Sequence, residues 1–303
     1  MNSRAEIRSV LTETLEIAYE QNGDLNGRPV ILLHGFPDDP RSWDGVVSAL
    51  TSIGFRTIVP YLRGFGATRF LRDDIPRSGQ QAALAHDLIG LIDGLKIDQP
   101  ILCGYDWGAR AACTVSALWP ERLAGLVSIG GYNVEDATQD QQPAPALQES
   151  QAWYQWYFHT QRGRNGLEQN RRGICRLLWQ QWSPNLRFTD AIFEKTARSF
   201  DNPDFVEVII HSYRHRYGSA PGDPKLETIE RKLADQPRLN VPTIVLHGAS
   251  DGVHSPELSE GQQHLFPKYY ERRLIGVAGH LFPREAPEAV LDAIRDLAQG
   301  RRI

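Results

Sequence analysis

The amino-acid sequence predicts an α/β fold, a mostly parallel doubly wound sheet with an inserted all-helical cap. Three observations lead there. Short apolar runs recur, of the kind that strands buried on both faces produce. Segments with helical spacing separate the early runs. A long aromatic-rich stretch without strand character then interrupts the alternation. Alternating strand and helix signals place helices on both faces of a parallel sheet.

Residues 7–20 read as extended segments, with a turn signalled by Asn22-Gly23-Asp24. Val30-Ile31-Leu32-Leu33 is the first fully apolar run and Thr57-Ile58-Val59 the second. Residues 82–95 carry Leu84, Leu88, Leu91, Ile92 and Leu95 on one helical stripe. The run Ile101-Leu102-Cys103 follows, then a helical segment over 109–118 that Trp119-Pro120 ends, then Leu126 to Ile129. Residues 137–145 form a Gln/Pro/Ala stretch that resembles a linker. Beyond it Trp153, Trp156, Tyr157, Leu178, Trp179, Trp182, Phe193, Phe200 and Phe205 recur at helical spacing, and residues 220–224 signal a loop. Strand character resumes at Val241, with Thr243-Ile244-Val245-Leu246 and then residues 270–275. The expected organisation is a core of residues 1–136 and 237–303 and a helical cap of residues 137–236. The sequence contains neither an internal repeat nor a low-complexity tract.

Composition narrows the functional classes. The 303 residues are 41% hydrophobic and 23% charged, a globular balance. Lys and Arg number 33 against 37 Asp and Glu, for a net charge of −4, so no basic surplus points to nucleic acid or an anionic membrane. No run approaches the ~20 apolar residues of a membrane span. The first residues show no signal peptide. The three cysteines, Cys103, Cys113 and Cys175, fit neither a disulfide framework nor a zinc pattern, and a reducing cytoplasm is the expected compartment. Oligomeric state is left open.

The chemistry centres on Gly104-Tyr105-Asp106-Trp107-Gly108, set between a strand run and a helical run. Glycines flanking a central residue suit a tight, strained turn in which other side chains would collide. A carboxylate at the centre is ionised at pH 7 and needs no base to attack. Its natural target is an sp³ carbon bearing a leaving group, which gives an alkyl ester, and a base is required only to activate water against that ester. Asp251, just after the strand that ends at Leu246, and His280, near the C-terminus, supply an acid and a base in chain order. His34-Gly35-Phe36-Pro37 directly follows the first buried strand.

Together these motifs resemble the α/β-hydrolase superfamily over nearly the whole chain, and within it the epoxide hydrolases. That resemblance implies hydrolysis of epoxides to vicinal diols without cofactor or metal, the substrate being a small molecule. Asp106 would attack one ring carbon. His280, backed by Asp251, would activate water, and the main-chain N–H groups of Phe36 and Trp107 would form the oxyanion hole. Tyr154, in Trp153-Tyr154-Gln155-Trp156-Tyr157-Phe158, and Tyr213, in Ser212-Tyr213-Arg214, are similar to the two cap tyrosines that hold and protonate the epoxide oxygen. Tyr157 and Tyr217 are the rival positions. The pocket is expected to be apolar and lined by His34, Pro37, Trp156 and Tyr157. Arg110, four residues after Asp106, is expected to pair structurally, while keeping open a substrate that bears a carboxylate.

The alternative branch is a haloalkane or haloacetate dehalogenase built on the same Asp-His-Asp triad, with Trp107 as a halide donor. Phe36 where haloalkane dehalogenases have Asn, and Trp107 and Gln155 where fluoroacetate dehalogenases have Arg and His, weigh against it. A catalytically silent receptor of the same fold is the remaining reading. His211 and His215 have the spacing of a zinc-protease helix, but Ser212 stands where the general base would be, and no metal is expected.

Overall fold

A computed structural model describes residues 6–135 and 143–300. Its strands are β1 (Ile7–Leu11), β2 (Leu15–Asn22), β3 (Arg28–Leu33), β4 (Phe55–Pro60), β5 (Arg69–Phe70), β6 (Ile101–Tyr105), β7 (Gly125–Ile129), β8 (Thr243–Gly248) and β9 (Tyr270–Ile275). They form one sheet in the order β1-β2-β4-β3-β6-β7-β8-β9, with β5 beside β2. Pairing is antiparallel around β2 and parallel from β4 to β9. The apolar runs have a direct cause: β6, β7 and β8 are buried at every position, so both faces are mainly apolar and the few polar side chains, such as Ser128 and His247, are hydrogen-bonded.

Helices α1 (Asp44–Ser52), α2 (Gln81–Gly94), α3 (Trp107–Leu118), α10 (Phe282–Glu285) and α11 (Pro287–Gln299) flank this sheet. Between β7 and β8 every regular element of the described chain is helical: α4 (Ala146–Gln151), α5 (Trp153–His159), α6 (Gln161–Trp182), α7 (Asp190–Ala197), α8 (Phe205–Arg216) and α9 (Glu227–Ala234), with short 3₁₀ turns and connecting loops. The expected helical insert is thus present in form. Its predicted first boundary, at 136/137, lies outside the described residues. Helix α11 was not singled out from the sequence, although Val290, Ala293, Ile294 and Leu297 bury one face at helical spacing.

Polar seams fasten the helical insert to the sheet side. The Trp179 indole donates to the carbonyl of Pro37 at 2.8 Å. The amides of Gly252 and His280 both donate to the carbonyl of Trp182, each at 3.0 Å. Glu230 of α9 accepts from the Gln80 side chain at 3.0 Å, the Gln81 side chain at 3.2 Å and the Ala82 amide at 3.0 Å, all at the N-terminal end of α2. Carboxylate acceptors are favoured there because the first helical N–H groups lack partners. The three cysteines are buried and unpaired. Among the described residues no helix is long and apolar enough to cross a membrane.

Candidate active site

Asp106 sits at the turn between β6 and α3 with φ 51° and ψ −124°, a conformation that side chains rarely adopt. The neighbouring glycines make it feasible. A Cβ at Gly104 would lie 2.5 Å from the backbone of Gly108, and one at Gly108 would lie 2.1 Å from the carbonyl oxygen of Leu33. Gly35 is equally constrained, since a Cβ there would come within 2.4 Å of the Asp106 side chain. Close approach of the 34–37 loop lets the Phe36 amide donate to Asp106 Oδ1 at 2.8 Å, and the Trp107 amide bonds the same carboxylate.

His280 joins the two carboxylates predicted for it. Its Nε2 lies 3.5 Å from Asp106 Oδ2, and its Nδ1 lies 3.0 Å from Asp251 Oδ2. Asp251 is itself oriented by the amides of Val253 at 2.7 Å and His254 at 3.1 Å. Burial disfavours the imidazolium, but Asp251 and Asp106 outweigh it and raise His280 to about 10. Burial likewise opposes the Asp106 charge, yet His280 at 3.5 Å, Arg110 and the Trp107 amide hold that carboxyl well below the usual range. The resting pair is therefore an imidazolium facing a carboxylate. His254, 5.8 Å ring to ring from His280, is pushed down to about 4 by desolvation and stays neutral.

Tyr154 of α5 and Tyr213 of α8 are both buried and meet edge to face at 5.3 Å. Phe36 packs against both, at 6.5 and 5.9 Å, and Trp107 lies 6.2 Å from Tyr213. The two phenols thus close over the elbow that carries Asp106. The rivals stand elsewhere. Tyr157 packs on Trp153 at 6.0 Å with its hydroxyl over Gly166, away from the elbow, while the Tyr217 hydroxyl donates to Gln155 at 2.7 Å.

Beside this cluster lies a cavity of about 550 Å³ whose walls include Arg110, Glu135, Gln155, Trp156, Arg216 and His254. Its lining differs from the one expected for the pocket. Trp156 does line it, 41% exposed, but His34, Pro37 and Tyr157 do not. His34 is fully buried: it donates from Nδ1 to the Gly35 carbonyl and accepts from the Leu62 amide, which fixes the loop instead of touching a ligand. Pro37 is sealed beneath Trp179. The expected apolar character also fails at these walls, because the aromatic side chains of the insert turn inward to pack on one another. Arg110 pairs with Glu135 at 2.8 Å, as anticipated, and Arg216 takes the same oxygen at 2.8 Å. Glu135, Arg216 and His254 carry no sequence motif, and Gln155 stood out only as a departure from the dehalogenase pattern. The one available signal was spacing, since Arg216 stands three residues from Tyr213 and shares its helix face.

Two groupings invite a metal reading. Asp251, His254 and His280 each place a ligand atom within 4.8 Å of the others. Asp251, however, is engaged by His280 and by two amides. His211 accepts from the Gly79 amide through one ring nitrogen and donates to the Pro221 carbonyl through the other, so it has no lone pair to offer beside His215.

The family model of the alpha/beta hydrolase fold matches residues 28–287. A crystal structure from Klebsiella pneumoniae subsp. pneumoniae, provisionally named an epoxide hydrolase, superposes with a TM-score of 0.94 at 43% identity over 97% of each chain. Epoxide hydrolase 2 of Siraitia grosvenorii is 42% identical over 107 residues, covering 34% of this chain and 32% of that protein. Epoxide hydrolase B of Mycobacterium tuberculosis is 36% identical over 106 residues, covering 35% and 29%. The match thus spans about a third of the length of these curated relatives.

Proposed function

The chain belongs to the α/β-hydrolase fold family, and we propose that it is a hydrolase that opens epoxides to vicinal diols through an ester on Asp106. The observation that carries this reading is the convergence of two phenols, Tyr154 and Tyr213, on the elbow whose carboxylate faces His280 and Asp251. The epoxide hydrolases among its relatives support it. On this reading residues 137–236 act as the cap.

Asp106 attacks one ring carbon, the carbon–oxygen bond breaks, and the released oxygen takes a proton from a phenol. An alkoxide is too basic to leave without that proton. Esterification removes the negative charge of Asp106, and with it part of what holds the proton on His280. The imidazolium then returns its proton to the phenolate, which restores the phenol, and the neutral imidazole acts as base toward water, with Asp251 fixing its tautomer. Water adds to the ester carbonyl, and the amides of Phe36 and Trp107 stabilise the resulting oxyanion. Collapse releases the diol and restores the carboxylate.

A second reading has an observation of its own. The indole N–H groups of Trp107 and Trp182 are buried without an acceptor among the described residues, as donors awaiting a halide would be. One panel separates the readings: terminal, styrene-type and disubstituted epoxides beside haloalkanes and fluoroacetate. Diol formation from epoxides is expected. Halide release without diol would replace this function with a dehalogenase. Asp106→Asn tests the receptor reading, because a receptor would have no turnover to lose.

A further inference from the structure

Gln155 follows Tyr154 on α5 and is buried. Its Oε1 accepts from Arg216 Nη1 at 3.2 Å and from the Tyr217 hydroxyl at 2.7 Å, and its Nε2 faces the Tyr154 hydroxyl oxygen at 2.9 Å. Arginine can only donate, so the end of the amide facing Arg216 must be the oxygen. The nitrogen therefore donates to Tyr154, and a phenol that accepts on that side has its own proton free for another acceptor. Arg216 lies beside the second phenol, its guanidinium carbon 5.2 Å from the Tyr213 ring centroid. Glu135 is its counter-ion but is shared with Arg110. Arg216 Nη2 is buried with no acceptor among the described residues.

We propose that Gln155 and Arg216 are positioning residues for the acid step: Gln155 turns the Tyr154 hydroxyl toward the epoxide oxygen, and Arg216, beside Tyr213, stabilises the phenolate formed where Tyr213 gives up the proton. The proposal rests on the epoxide reading. In that step one negative charge leaves the Asp106 carboxylate as its new bond to carbon forms. The electron pair of the broken carbon–oxygen bond takes the phenol proton, and the charge ends on the phenolate. A cation beside that buried phenol acts where the charge develops.

The surroundings of both phenols agree. Burial pushes Tyr154 and Tyr213 well above the ordinary phenol value; Asp106 and, for Tyr213, the neighbouring phenol push the same way. Arg216 pulls both down, and Arg110 adds to this at Tyr213. Without Arg216 the proton would be harder to give up.

The test uses Arg216→Met in the full chain, with ester formation and ester decay timed separately by quenched-flow mass spectrometry. Ester formation is expected to slow about 10²-fold while decay is unchanged. In parallel, the tyrosinate ultraviolet band that Tyr213→Phe removes should titrate at higher pH in Arg216→Met. Arg216→Lys, which keeps the charge, should restore most of the rate, as a packing role would not predict. Ester formation as fast in Arg216→Met as in the parent protein overturns the proposal and leaves the reaction standing. If the parent protein forms no ester from any epoxide, the reaction reading falls instead, and an unmoved tyrosinate band then overturns the Arg216 assignment on its own. Should Arg216→Met not fold, Gln155→Met on the cavity wall tests the same chain of bonds: about tenfold slower esterification with unchanged decay supports it, and equal rates overturn it.

Discussion

The Phe36 amide donates to Oδ1 of Asp106 at 2.8 Å, while the other carboxylate oxygen faces His280 at 3.5 Å. The two oxygens are therefore distinguished before any substrate arrives. In the proposed reaction the oxygen held by Phe36 becomes the ester carbonyl, and later the oxyanion, without leaving its donor. The amide that orients the attacking carboxylate is thus the one that stabilises the second step, and no reorganisation separates the two roles.

Removing the base should uncouple those steps. His280→Gln leaves Asp106 and both phenols in place, so alkylation continues and hydrolysis stops. The expected result is stoichiometric addition of substrate mass to the intact protein. A variant that binds epoxide and gains no mass would place His280 before the ester.

The phenols should be partly redundant. Tyr154→Phe and Tyr213→Phe each delete a hydroxyl and keep the ring packing, and each should slow esterification by about 10²-fold or less, with the remaining phenol covering part of the loss. The double variant should form no diol while its near-ultraviolet circular dichroism keeps the features of the folded protein. Unchanged diol formation in the double variant would remove both residues from the mechanism.

The triad also predicts how stability varies with pH. His280 is raised from 6.5 to about 10, so its contribution is complete below pH 6.5 and is lost as pH climbs toward 10. Asp106 and Asp251 are shifted downward, so theirs is present at neutral pH and fades on acidification. Urea unfolding between pH 6.5 and 10 should show the parent protein losing stability relative to His280→Gln, by at most about 1.4 kcal/mol per pH unit. Parallel curves would mean that the imidazole is not held charged.

The elbow should tolerate no added methyl group. Gly108→Ala places a Cβ 2.1 Å from the Leu33 carbonyl oxygen, where the buried first turn of α3 meets the main chain at the end of β3. A loss of roughly 1–3 kcal/mol or more is expected in denaturant titration, together with loss of activity as Asp106 shifts. Wild-type stability in that variant would show that the strand–helix turn can relax.

Sequence reading reached the parts of this site that lie beside a strand. Asp106 and Asp251 each follow an apolar run, and those runs exist because the central strands are buried on both faces, while His280 follows the partly buried edge strand β9. Tyr154 and Tyr213 stood out only because the segments around them resemble the cap-tyrosine segments of epoxide hydrolases. The cavity was not legible in the same way. Its walls depend on which faces of α5 and α8 turn inward, and on a partner, Glu135, remote in sequence from Arg216. Aromatic abundance suggested an apolar pocket, but those rings serve to pack the insert, and the polar side chains between them reach the open space. His34 misled for a related reason: a histidine next to the loop that positions Phe36 has both ring nitrogens committed to backbone.

The carbonyl of Trp182 receives the amides of Gly252 and His280 at once. One atom at the end of α6 thus ties together the segments that carry the acid and the base. Lifting that end of the insert would either break both bonds or pull His280 out of line with Asp106. Movement and alignment are mechanically linked there, so any opening that spares the triad leaves the α6 end in place as a hinge post.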